Sequence, residues 1–172
     1  MTIVIANRQR TRKVNLRRLK TMTGRILARL GIVQAELGIT LVAAPEMAAL
    51  NERFLHHAGP TDVITFDYTR AGGARHSVRA DFNGAPLSRL SPSSSSPALH
   101  GEIFVCVDEA VSQARHFKTS WQSETLRYLI HGVLHLLGHD DSRPAARRKM
   151  KQQENLLLAR LSGSGKSRSA LE

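Results

Sequence analysis

Five imidazole and carboxylate side chains fall within eleven residues, in the run HGVLHLLGHDD from His131 to Asp141. His131 and His135 are four positions apart in a stretch that reads as helix. Side chains at that spacing lie one above the other on one face, so two imidazoles can reach one ion. Gly138 sits where such a helix should stop, at the position just beyond the C-cap that favours positive φ. His139, Asp140 and Asp141 then follow on a turn and offer further ligands. Two His from a helix and one N or O ligand from the next loop make the donor set of a catalytic zinc site, with the fourth position open to water.

A hydrogen-bonded His pair is the plainer reading of this spacing. Against it, Val133, Leu134, Leu136 and Leu137 flank the pair, and burying two imidazoles is costly unless each finds a partner. A divalent ion supplies that partner. Zinc proteases of the HExxH type carry a Glu beside the first His as general base. Gly132 stands there in this chain and cannot transfer a proton, which argues against peptide hydrolysis by that route. Spacing alone leaves His139 and Asp141 both open as the third ligand.

HGVLHLLGHDD resembles the signature of the YbeY family, bacterial metal-dependent endoribonucleases of ribosomal RNA maturation. The family motif has His at its first, fifth and eleventh positions, all binding zinc. His131 and His135 match the first two, and Asp141 stands at the eleventh. The resemblance therefore implies one Zn²⁺ held by His131, His135 and Asp141, a carboxylate being an ordinary zinc ligand. That set carries one negative charge, so bound water should be less acidic than with three neutral imidazoles. The family position of His139 is aromatic or His and is not a ligand.

The likeness continues upstream. Leu50-Asn51-Glu52-Arg53-Phe54, followed by Pro60 to Phe66, resembles the family's "LN" and "TDVLSF" segments, and Gly101 to Val105 its "GDI" strand, with Glu102 in place of Asp. The family commonly has an RNA-contacting Arg five residues before Pro60, where this chain has Leu55. The resemblance implies a single-strand-specific, zinc-dependent endoribonuclease of ribosomal RNA processing and ribosome maturation. Its partners would be ribosomal RNA and the small ribosomal subunit. Two rivals are a metal-dependent hydrolase of another substrate and a non-catalytic RNA-binding assembly factor whose zinc is structural. A closed site using both His139 and Asp141 would favour the last.

Composition agrees with a nucleic-acid partner. Lys and Arg number 25 against 14 Asp and Glu, a formal charge of +11, and such a field attracts polyphosphate in a salt-dependent way. One basic cluster runs from Arg8 to Lys20; a second, Arg143, Arg147, Arg148, Lys149 and Lys151, directly follows the metal motif. The second is the better candidate for holding RNA near the chemistry, although charged positions are ordinarily solvated surface. Cys106 is the lone cysteine, in an apolar run, which reads as a buried thiol without a disulfide framework. The opening apolar run is short for a signal peptide and no segment has transmembrane length, so a cytoplasmic location is expected.

The elements that must position the motif follow from periodicity. Thr2 to Ala6, Ala35 to Val42, Asp62 to Tyr68 and Glu102 to Val107 read as strands. Val14 to Leu30, a stretch opened by Pro45, Asp108 to Phe117, Glu124 to Leu137 and a last stretch through Leu161 read as helices. Ser123 and Ser142 are the expected N-caps of the last two. Together they predict a single α+β domain over residues 1–161, with about four strands in a mixed sheet packed by helices. The metal site falls on a C-terminal helix and its following loop. Thr69 to Ala98, rich in Ser, Gly, Ala, Arg and Pro, reads as a loop insertion with room for a hairpin in Ser77 to Leu87, and 162–172 as a flexible tail. No catalytic residue stands out. Asp140, Glu102 and His139 are candidate general bases or orienting groups, while Asp67, Thr61 and Asp62 either line the cleft or cap strand ends by local turn bonding.

Overall fold

The computed structural model describes residues 1–69, 75–77 and 98–162. Its elements are β1 (Thr2–Asn7), α1 (Leu16–Arg29), β2 (Gln34–Val42), α2 (Ala44–Leu55), β3 (Val63–Asp67), β4 (Arg75–Ser77), β5 (Ala98–Cys106), α3 (Val107–Phe117), α4 (Trp121–Leu136) and α5 (Pro144–Ser162). The sheet order is β1-β2-β5-β3-β4. β1 and β5 run parallel to β2, and β3 runs antiparallel to both β5 and β4. The fold is α+β with a mixed sheet, as expected, and the four expected strands all form. The three-residue β4 adds a short edge.

Strand β3 shows why the sheet can be covered on both faces. Successive side chains point to opposite sides, and Val63, Ile64 and Phe66 are all buried. Val63 joins the main core with α1, α4 and α5, while Ile64 and Phe66 join Val42, Met47 and Cys106 in a second cluster against α2. Cys106 is fully buried, as its sequence context suggested. No described helix is long and apolar enough to cross a membrane.

Several boundaries differ from expectation, each for a local reason. α1 begins after Asn15, whose side chain accepts from the Arg18 N–H, and not at Val14. Ser120, not Ser123, caps α4: its side chain accepts the Ser123 N–H, so the helix starts three residues earlier. Ser142 does not serve as the cap of α5, which opens at Pro144. Its N–H and hydroxyl instead donate to Asp140, at 2.8 and 2.6 Å. β5 starts at Ala98, four residues before the expected Glu102, because Ala98 to Gly101 pair with β2 from Gln34 to Leu37. The rest of the expected insertion and hairpin, and residues 163–172 of the expected tail, lie outside the described residues.

Candidate metal centre

α4 lies across β3 and β5 at unusually close range because Gly132 has no side chain. A Cβ there would meet Ile103 Cγ2 at 2.8 Å and the Cγ2 atoms of Thr65 and Val63 at 3.2 Å. The residue that departs from the protease pattern is thus the helix's contact with the sheet. α4 ends at Leu136 with Leu137 as C-cap, and Gly138 follows at φ +85°. The Gly138 N–H donates to the His135 carbonyl at 2.8 Å and the His139 N–H to the Leu134 carbonyl at 3.0 Å. This is a Schellman stop, and it folds the following loop back so that Asp141 returns to the helix face bearing the His pair.

His131, His135 and Asp141 come together, with one ligand atom from each inside a 4.8 Å cluster. The two Nε2 atoms are 2.9 Å apart, and Asp141 places Oδ2 3.9 Å from His131 Nε2 and Oδ1 3.9 Å from His135 Nε2. The site is recessed: the Asp141 side chain is 8 % exposed and that of His135 9 %.

Both imidazoles are held from behind. His131 Nδ1 is 2.7 Å from Glu154 Oε1, and His135 Nδ1 is 3.0 Å from the His139 carbonyl. A carboxylate and a carbonyl can only accept, so each Nδ1 carries the proton and each Nε2 presents a lone pair. Two lone pairs facing each other at 2.9 Å repel unless a proton or a cation lies between them. At a tetrahedral zinc with bonds of about 2.0–2.1 Å, two nitrogens sit roughly 3.3 Å apart, close to the separation seen. A metal therefore fits these residues. Burial resists protonation of His131, but the hydrogen bond and charge of Glu154, aided by Asp62 and Asp141, outweigh it and move its pKa upward. His135 moves down, through burial and the neighbouring His131.

His139 contributes its carbonyl and not its ring, and its side chain is exposed. Among the described residues the cluster is His131, His135 and Asp141 alone. Of the expected base candidates, Asp140 is turned to Ser142 and Glu102 Oε2 takes the Tyr68 hydroxyl at 3.2 Å on the exposed sheet. Neither lines the cleft around the cluster.

That cleft, about 920 Å³, has α4 as its floor, with Glu124, Arg127, Tyr128, His131 and His135 on one face. Thr61 and Asp62 line it beside the cluster, whereas Asp67 does not. Asp62 Oδ1 accepts from the Thr61 hydroxyl at 2.9 Å and the Val63 N–H at 3.0 Å, so the expected turn bonding and the cleft position hold together. From α5 come Arg147 and Lys151, two of the cations anticipated near the site. Arg147 Nε donates to the Asp141 carbonyl at 3.1 Å, steadying the ligand loop. Leu55 packs against the second apolar cluster, and the exposed Arg53 guanidinium lies 5.3 Å from the centre of the Phe54 ring.

Glu154 is the site residue that sequence reasoning missed. Its other oxygen lies 3.7 Å from Arg127 Nη1, and Arg127 Nε is 3.4 Å from Glu124. The signal was present: Glu154 is the single acidic residue of α5. It falls on the stripe of Met150, Leu157, Leu158 and Leu161, where it is only 7 % exposed. A lone carboxylate on an apolar stripe needs a partner in the core.

Fold and site together define an α+β protein with a candidate metal centre at the floor of a cleft into which α5 sends Arg147 and Lys151. The family model described as Endoribonuclease YbeY matches residues 4–162. Similar curated relatives include an Endoribonuclease YbeY of Acidothermus cellulolyticus, 36 % identical over 92 % of this chain and 90 % of its own. Another, from Anaeromyxobacter sp., is 34 % identical over 95 % of this chain and 73 % of its own. A solution structure of a Thermotoga maritima protein aligns over 98 % of this chain and 95 % of that one, with a TM-score of 0.62 and 25 % identity. The chain belongs to the YbeY family of endoribonucleases, and its enzymatic class is that of a nuclease.

Proposed function

We propose that this chain hydrolyses single-stranded RNA with one zinc ion held by His131 Nε2, His135 Nε2 and the Asp141 carboxylate, and that it serves ribosomal RNA maturation in the cytoplasm. The observation that carries the metal reading is the pair of converging Nε2 lone pairs, each fixed by an acceptor on its Nδ1. Three protein ligands leave a position open, which favours a catalytic over a closed structural ion. When bound, zinc supplies Lewis acidity toward water and a phosphoryl oxygen.

The chain's own groups do the rest. Glu154 and the His139 carbonyl keep both imidazoles in the ligating tautomer. Asp62 is aimed by Thr61 and the Val63 N–H through Oδ1, which leaves Oδ2 without a partner among the described residues. That atom takes the proton of the attacking water. Arg147 and Lys151 bind the phosphates on either side of the scissile bond and offset charge as it grows in the transition state.

The test is cleavage of a fluorescently labelled single-stranded RNA by zinc-loaded protein. Native protein should cut at low salt, and Asp141→Ala should lose both zinc and activity. Asp62→Asn should keep its zinc while the cleavage rate falls by about 10²- to 10⁴-fold, the usual contribution of a positioned base. Zinc-loaded native protein that never cuts RNA refutes the nuclease reading.

A further inference from the structure

At the far end of the same cleft, α3 finishes on an aromatic ring that is largely exposed among the described residues. Phe117 is 61 % exposed, the only aromatic among the exposed large apolar side chains of the described residues. It is the last residue of α3, and Lys118 at φ 54° stops the helix immediately after it. The ring of His116 packs edge-on against it at 4.8 Å. Phe117 lines the cleft that also holds the His pair, together with Gln113 and Thr119.

The geometry points to Phe117 as a stacking platform for one unpaired base of the RNA strand, a few nucleotides from the bond that is cut. Glu124 and His135 mark the two ends of the cleft floor; they are eleven residues apart on α4, or roughly 16 Å along the axis. A strand whose scissile phosphate lies at the His pair and whose backbone follows Arg147 and Lys151 therefore carries a nearby base to the Phe117 end. There the apolar face of the ring is matched by polar edges. Gln113 gives one amide N–H to Glu109 at 2.7 Å, which fixes the amide and leaves its carbonyl for the edge of a base. Stacking on an aromatic face accepts any base, but the base must be free of its own stack. The platform thus supplies selection for single strands without reading sequence. It rests on the cleft being an RNA-cleaving site.

The test measures binding, so it does not depend on cleavage. Fluorescence anisotropy of a short single-stranded RNA with metal-free protein should show Phe117→Ala binding about 5- to 150-fold more weakly, the range for losing one stacked base. Phe117→Trp should bind at least as tightly as native. With an abasic site scanned along the RNA, the loss caused by Phe117→Ala should vanish at one position only, and binding to duplex RNA should not change. Equal binding by native and Phe117→Ala protein, or a loss that no abasic position relieves, overturns the platform while leaving the nuclease reading intact. Absence of any binding of single-stranded RNA by native protein overturns both. Phe117 is exposed, so melting temperatures equal to native confirm that each variant is folded.

Discussion

Replacing Gly132 with alanine should loosen the protein where most helical glycines, so replaced, would tighten it. At an open helix position the change gains about 0.8–1.0 kcal/mol of helix propensity. Gly24 in α1 is such a position, with nothing within 4 Å of a built Cβ. Gly24→Ala should therefore raise the melting temperature by about 2–4 °C, as expected for about 1 kcal/mol in a chain of this length. At Gly132 the new methyl meets Ile103 Cγ2 at 2.8 Å, with Thr65 and Val63 methyls at 3.2 Å closing the sides. Ile103 and Thr65 are fully buried and Val63 nearly so, so none can swing aside. Overpacking of this kind costs about 1–3 kcal/mol, which exceeds or cancels the propensity gain and leaves a net loss of roughly 0–2 kcal/mol. Relief comes from α4 lifting by about half an ångström, and sites of this kind tolerate no more than about that much displacement. Gly132→Ala should then show a melting temperature unchanged or lowered and zinc binding weakened, while Gly24→Ala binds zinc as native does. Calorimetry and a chelator-competition titration on both variants read this directly. A Gly132→Ala protein that melts as far above native as Gly24→Ala refutes the close-packing argument.

Other outcomes follow from the same contacts. Glu154→Gln should weaken zinc binding by about 10- to 100-fold, since the amide can hold the His131 Nδ1–H but carries no charge; equal affinity by competition titration contradicts the orienting role. Removing Arg147 and Lys151 together should flatten the dependence of log K on log salt for single-stranded RNA by about 1.4, or about 0.7 per lost phosphate contact. An unchanged slope places the strand elsewhere. Burial pushes the Cys106 thiol up to about 11 from 9.0, so the folded state favours the neutral form. That stability is complete below pH 9 and lost as pH rises through about 11. The melting-temperature advantage of native over Cys106→Ala should be constant below pH 9 and shrink toward 11, which a pH series of thermal melts checks.

What was legible in the sequence was local. The i,i+4 His pair, the glycine stop and the acidic turn lie within one helix end, and helical geometry alone brings them near one another. Glu154 was harder because its distance from His131 is set by how α5 packs on α4, a tertiary fact. Asp62 needed the sheet as well: only the placement of β3 under α4 decides whether its carboxylate faces the His pair. Ser123 and Ser142 misled because a cap is chosen among neighbouring serines by where packing starts the helix. In β5 the residues Ala98 to Gly101 lack the apolar run that marks a strand, and pairing with β2 makes them one.

Anomalous diffraction at the zinc edge from crystals grown with zinc tests the central claim most directly. The expected result is one peak per chain, about 2.0–2.2 Å from His131 Nε2, His135 Nε2 and an Asp141 oxygen, with a non-protein fourth ligand. A peak bound by the His139 ring in place of Asp141, a fourth protein ligand closing the site, or no peak between the two imidazoles would contradict it.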